Sequence, residues 1–187
     1  EAENKDLARF RSEFFGQLST LLQGREGVRV VGDRFVFSSE VLFNPGSADL
    51  APEGREQIAG VVRILDEVRA EIPPGIDWII RVDGHTDNVP IAPGAAFADN
   101  WELATARSIG VFKALIAYAP GLESLRNEHG EVVLGVSGYE ARRPVARASG
   151  EEARRLNRRI DLRFVLAGPG AIEIDRLRRR LDTLRDQ

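Results

Sequence analysis

A run of β-branched and apolar residues, Ile76 to Val82 with Trp78 inside it, stands between two long stretches whose apolar residues recur at helical spacing. That alternation constrains the fold more than any other feature. Upstream, Ile58, Val61, Val62, Leu65, Val68 and Ile72 line one face of a helix that starts at Pro52, with Glu53 and Glu56 beside the positive end of its dipole. Pro73, Pro74 and Gly75 stop it. Downstream, a helix starts near Asp99 or Asn100 and runs to about Tyr118, with Leu103, Ala106, Gly110, Val111, Leu115 and Tyr118 expected to face the core. Asp99 followed by Glu102 has the form of a capping box.

The remaining chain supplies the other strands. Val28 to Val31 and Phe35 to Phe37 flank Gly32-Asp33-Arg34 as a hairpin would, and Val41-Leu42-Phe43 reads as a second strand-like piece before the turn Asn44-Pro45-Gly46-Ser47. Val132 to Val136 forms a further strand, after which Gly138 to Pro144 turns away. Glu151 to Leu156 is a short polar helix, and Ile160 to Val165 alternates with period two. Strands interleaved with amphipathic helices predict an α/β architecture of the α+β kind, β-α-β-α-β-(α)-β, with one mixed sheet, helices packed on it and a closing strand.

The division of the chain follows. Residues 28–167 are expected to form one domain, within reach of a 187-residue chain that is 43% apolar. Residues 1–27 carry an amphipathic helix over Asp6 to Gln23, with Leu7, Phe10, Phe14, Leu18 and Leu21 as its stripe. Residues 168–187 follow the breaker Gly168-Pro169-Gly170 and form a helical arm in which Ile174, Leu177, Leu181 and Leu184 make a seam too short to stand alone. A chain that begins at Glu1 and contains no Met reads as a processed protein or a piece of a longer one. The formal net charge of −3 gives no positive field for phosphate, so no nucleic-acid partner is expected. The absence of Cys leaves the redox compartment open.

The chemistry concentrates where the 76–82 strand ends, at Gly84-His85-Thr86-Asp87-Asn88. The Asp87 carboxylate can accept hydrogen bonds from an ammonium. Arg107, about two turns into the next helix, carries a planar fork suited to a carboxylate, so that the two together would hold a zwitterion. The plainer alternative is that Asp87 and Arg107 pair with each other or with local backbone. Asn157-Arg158-Arg159, just before the last strand, could present an amide and a guanidinium to the same pocket or merely solvate the surface. Asp83 and Asp87 could suggest acid and base work on a glycosidic bond, but Gly84 is expected to interrupt the strand that would align them. His85 reads as structural, no metal-ligand spacing is present, and no cofactor is implied.

Several stretches then match a known family in order: Phe43-Asn44-Pro45-Gly46-Ser47-Ala48 with Leu50, Gly84 to Ile91, Asn100 to Arg107, Gly138-Tyr139, and Asn157 to Ile160. Over roughly residues 35 to 166 the chain resembles the OmpA-like peptidoglycan-binding domain. The longer loop between Asp87 and Asn100 and the Asn-Trp-Glu-Leu helix start look like its MotB branch, the flagellar stator type. The resemblance implies noncatalytic binding of the peptidoglycan stem peptide, with Asp87 taking the ammonium and Arg107 the carboxylate of meso-diaminopimelate. Asn157 and Arg158 would line the same groove, and Thr86, Asn100 and Leu103 would shape its walls.

It also implies a periplasmic location in a Gram-negative bacterium, with anchoring to the inner membrane through an N-terminal segment not in this chain. The branch's ion-carrying membrane helix is likewise not in this chain, and no ion translocation is expected of it. The Leu-rich arms suggest a homodimer. Two other functions remain open: a wall hydrolase using Asp83 and Asp87, and an interaction module whose groove is idle.

Overall fold

The computed structural model describes residues 9, 12–13, 15–16, 19–20, 28–69, 77–127 and 130–167. β1 (Val28–Val31) and β2 (Arg34–Ser38) form an antiparallel hairpin. Its two-residue turn has Gly32 at φ 60°, the positive φ that a type II′ turn requires at its first central position. One helical turn, α1 (Ser39–Leu42), follows directly. The strand expected over Val41 to Phe43 is therefore not formed: Ser39 and Leu42 are buried by helical geometry, and only Phe43 makes an isolated bridge, to Leu50. Next come α2 (Pro52–Arg69), β3 (Asp77–His85), α3 (Asn100–Tyr118), a 3-10 turn (Pro120–Leu122), β4 (Leu134–Glu140), α4 (Glu151–Asn157) and β5 (Arg159–Ala167). Pro52 opens α2 as read from the sequence; the stop at Pro73 to Gly75 lies outside the described residues.

The strands make one five-stranded mixed sheet in the order β1-β2-β5-β3-β4. β3 and β4 are parallel, joined by the crossover through α3, and every other neighbouring pair is antiparallel. The closing strand β5 thus inserts between β2 and β3. Alternation gives the sheet two unlike faces. Phe35, Phe37, Ile80, Val82, Ile160, Leu162 and Phe164 share a core with Ile58, Val61 and Leu65 of α2 and Val111 and Leu115 of α3. Phe15, from the N-terminal segment and off the stripe read from the sequence, packs edge-on against Phe164. The stripe residues themselves and the C-terminal arm lie outside the described residues.

On the other face, register sets Asp83 opposite Asp161, Arg81 opposite Arg163 and His85 opposite Arg159. Ion pairs offset the cost of burying these charges. Arg81 grips both oxygens of Asp83 at 2.6 and 2.9 Å, and Arg159 does the same to Asp161 at 3.0 and 3.2 Å. Burial would raise the Asp161 pKa, but His85 and Arg159 overcome it and hold the carboxyl below its ordinary range.

Three expectations are corrected by this packing. β3 does not break at Gly84 but continues through His85, with a register shift against β4 between the two. β4 starts at Leu134 rather than Val132 and extends to Glu140, so Gly138 lies inside a strand. On α3 the buried residues are Asn100, Ala104, Arg107, Ser108, Val111 and Leu115, whereas Leu103 is only partly covered and Tyr118 is exposed. The helix is rotated because it seats on glycine. A Cβ on Gly84 would stand 2.2 Å from the Ala104 carbonyl oxygen, and one on Gly138 would stand 2.3 Å from the Thr105 hydroxyl.

Gly84→Ala therefore must push α3 off β3. It is expected to destabilise the domain by about 1 to 3 kcal/mol or more, as overpacking against backbone does, read as a lowered urea midpoint. An unchanged midpoint would count against the seam.

Candidate ligand-binding site

The end of β3 is held by the strand beside it. Thr86 donates its backbone N–H to the Glu140 carbonyl at 3.0 Å. Glu140 adopts φ 53°, the one positive φ among described residues other than glycine, so the chain accepts local strain at the point that aims Thr86 and Asp87. Asp87 then folds its own loop: Oδ1 accepts the Val89 N–H at 2.9 Å. Asn100, the first residue of α3, donates its amide to the Val89 carbonyl at 2.8 Å and ties that loop to the helix. Asp99 caps α3 by accepting the Glu102 N–H at 2.8 Å, while Glu102 accepts the Ala98 N–H.

The glycine seam sets the position of Arg107, which feels the charge of Asp87. It is buried, with 8% exposure; its Nε donates to the Ser47 carbonyl at 3.0 Å, and its guanidinium lies 5.0 Å from the centre of the Phe43 ring. Its Nη groups have no hydrogen bond or ion pair among the described residues, yet they are not among the buried atoms sealed without a partner. Burial pushes its pKa down to about 10; the positive charge of Arg158 adds to this and the negative charge of Asp87 opposes it. Asp87 and Arg107 thus act on each other through their charges but do not pair.

Asp87 is paired instead with Arg158. Arg158 Nη1 donates to Asp87 Oδ2 at 2.7 Å, and its Nη2 donates to Glu151 at 2.6 Å and to Glu40. One guanidinium therefore serves three carboxylates. Partial burial would lower the Arg158 pKa, but Glu40, Asp87 and Glu151 outweigh it and raise it above the ordinary value. The sequence offered Arg158 as a groove residue but gave no sign of Glu40 as its partner, because Glu40 lies on a separate element; Glu151 stands two turns before Arg158 along α4.

Asn157 lines a cleft of about 370 Å³ with Thr86 and Asp87, but its amide is already used. Oδ1 accepts the N–H groups of Val145 and Ala146 at 2.8 and 3.0 Å, and Nδ2 donates to the Ala146 carbonyl at 2.8 Å. It pins the loop that forms the far wall. Thr86 and Asn100 are buried beside Asp87, Leu103 is partly covered on α3, and the Thr86 hydroxyl has no partner among the described residues.

His85 is buried and stacked on Tyr139 at 5.3 Å, with Nε2 3.3 Å from Asp161 in a geometry too bent for a good hydrogen bond. Burial lowers its pKa, against the pull of Asp161. No group of three metal-ligating side chains occurs among the described residues. The Asp83 carboxylate, buried and held on both oxygens by Arg81, lies on the polar face of the sheet.

A buried cation and a carboxylate near the end of a central strand make this cluster the candidate ligand site of a mixed α/β domain. The chain belongs to the OmpA family, whose model matches residues 42–158. Within it the chain is MotB-like: it is 31% identical over 121 residues to motility protein B of Escherichia coli K12, covering 65% of this chain and 33% of that protein. It is 33% identical over 89 residues to motility protein B of Bacillus subtilis, 48% of this chain and 31% of the relative. The chain thus spans about a third of the length of the curated relatives it matches.

Solved structures share the fold. A MotB-like protein from Desulfovibrio vulgaris superposes with a TM-score of 0.68 at 24% identity, over 88% of this chain and 98% of that one. The cell wall anchor of the T6SS from Pseudomonas aeruginosa does so with a TM-score of 0.56 at 26% identity, over 86% and 96%.

Asn157→Ala is expected to free the loop and cost about 0.5 to 1.5 kcal/mol, because it removes three hydrogen bonds whose freed groups water can partly satisfy. Hydrogen exchange should speed up at Val145 and Ala146 above all; unchanged protection there would remove the role assigned to Asn157.

Proposed function

We propose that this chain is a noncatalytic module that binds the stem peptide of peptidoglycan and anchors a membrane protein or complex to the bacterial cell wall. The observation that carries the proposal is Arg107, a desolvated guanidinium whose Nη groups have no carboxylate partner among the described residues, with Asp87 near enough for its charge to act on it. A ligand carboxylate supplied there would make charge-assisted, bidentate hydrogen bonds and relieve the cost of burying the cation. An ammonium on the same ligand would join the cluster of Asp87, Glu40 and Glu151, in which three carboxylates share one guanidinium. Diaminopimelate, whose free end bears both groups, fits that order of charges. Thr86, Asn100 and Leu103 form walls, Asn157 fixes the loop opposite, and Arg158 orients Asp87.

Membership of the OmpA family and the likeness to a cell wall anchor and to MotB proteins support this reading. The likeness to a MotB structure described as a periplasmic domain supports a periplasmic site of action in a Gram-negative bacterium, with an N-terminal segment beyond this chain reaching the inner membrane. No helix among the described residues is long and apolar enough to cross a membrane. In this reading residues 28–167 are the binding domain, and residues 1–27 and 168–187 are arms.

Asp87→Asn and Arg107→Gln are each expected to lower co-sedimentation with purified peptidoglycan at least tenfold, the loss of one charge-assisted contact of about 1.5 to 3 kcal/mol, while the circular dichroism spectrum is retained. Binding retained by both variants would refute the assignment. So weak a single site calls for repetition along the polymer, which a homodimer would exploit through effective concentration. Light scattering should accordingly give twice the chain mass at high protein concentration; a monomer mass throughout removes the dimer.

A further inference from the structure

The cleft that holds Asp87 does not end there. It continues between the end of β3 and the loop pinned by Asn157, and Arg147 and Arg154 line its far side. Its volume of about 370 Å³ exceeds what one ammonium needs and falls within the range of small-ligand pockets, roughly 300 to 1,000 Å³. The two arginines differ. Arg154 is engaged by Glu151 at 2.9 Å, whereas Arg147 is exposed and has no hydrogen bond or ion pair among the described residues. Thr86, buried at the end of β3, carries a hydroxyl with no hydrogen-bond partner among the described residues.

Resting on the function proposed above, we infer that this cleft is a second subsite, in which Arg147 takes a carboxylate borne by the residue linked to the zwitterionic amino acid held at Asp87 and Arg107. The ligand class is thus an acidic peptide with charges in the order carboxylate, ammonium, carboxylate, matched by Arg107, Asp87 and Arg147. A single carboxylate suits the site better than a phosphodiester. Among the described residues that line the cleft, only one guanidinium is uncommitted, and Asp87 would repel a second negative charge brought close to it. The loop can serve as a wall because Asn157 fixes it through three hydrogen bonds, so Arg147 is mounted on an ordered segment. Arg147 is a specificity residue in this account: it distinguishes a stem residue with a free carboxylate from one whose carboxyl is amidated.

The test compares three ligands on wild-type chain and Arg147→Gln, followed by amide chemical shifts: meso-diaminopimelate, γ-D-glutamyl-meso-diaminopimelate, and the same dipeptide with its glutamyl carboxyl as carboxamide. The wild type should bind the acidic dipeptide roughly two to five times more tightly than the carboxamide, the size of one exposed ion pair, and the ratio should fall to about one in Arg147→Gln. A wild type without that preference, or a variant that keeps it, overturns the subsite while leaving the diaminopimelate site intact. If diaminopimelate itself fails to bind the wild type, the wider reading falls and the subsite with it.

Discussion

The close approach of α3 to β3 and β4 is the contact on which the site depends. Gly84 and Gly138 lack the atoms that would hold the helix away, and the Ala104 carbonyl and the Thr105 side chain occupy the space those atoms would fill. Ser108, one turn on, donates its hydroxyl to the Ser137 carbonyl at 2.9 Å and locks the helix to the edge strand. Arg107 sits between these anchors and reaches Phe43 and Ser47 on one side and the neighbourhood of Asp87 on the other. A helix displaced by a methyl group would carry the guanidinium with it.

Charge is distributed unevenly around that seam, and the unevenness gives the site its chemical character. Arg158 is saturated by Asp87, Glu151 and Glu40, whereas Arg107, the more buried of the two, has backbone and an aromatic face but no carboxylate among the described residues. Burying a cation without a counter-ion is costly. The opposite face of the sheet shows what a completed set looks like: Arg81 with Asp83 and Arg159 with Asp161, each guanidinium matched to a carboxylate on its own strand.

Much of the fold was legible because it rests on local periodicity. The 3.6-residue stripe of Ile58, Val61, Val62 and Leu65 gave α2 with its Pro52 start, and the two-residue alternation of Ile160, Leu162 and Phe164 gave the core face of β5. Errors arose where non-local contacts overrode pattern. Val41 to Phe43 is rich in β-formers, yet the chain needs a helical turn there to carry β2 onto α2. Gly84 and Gly138 read as breakers, because in a sequence glycine signals freedom of the backbone; here they are strand residues chosen for the space above them. The rotation of α3 followed from the same cause, since the glycine seam, and not the spacing of apolar residues alone, decides which side of that helix is buried.

By itself the sequence determined most of the elements and their order, and the presence of an acid and a guanidinium on neighbouring elements, because these follow from spacing along one chain. Only the tertiary structure decided that Asp87 pairs with Arg158 rather than Arg107, that Asn157 holds a loop, and that Glu40 and Glu151 join the cluster. Glu151 reaches Arg158 along one helix, but Asp87 and Glu40 stand 71 and 118 residues from it and meet it only through the sheet order β1-β2-β5-β3-β4. Periodicity carries no information about partners at that separation; the insertion of β5 between β2 and β3 supplies it.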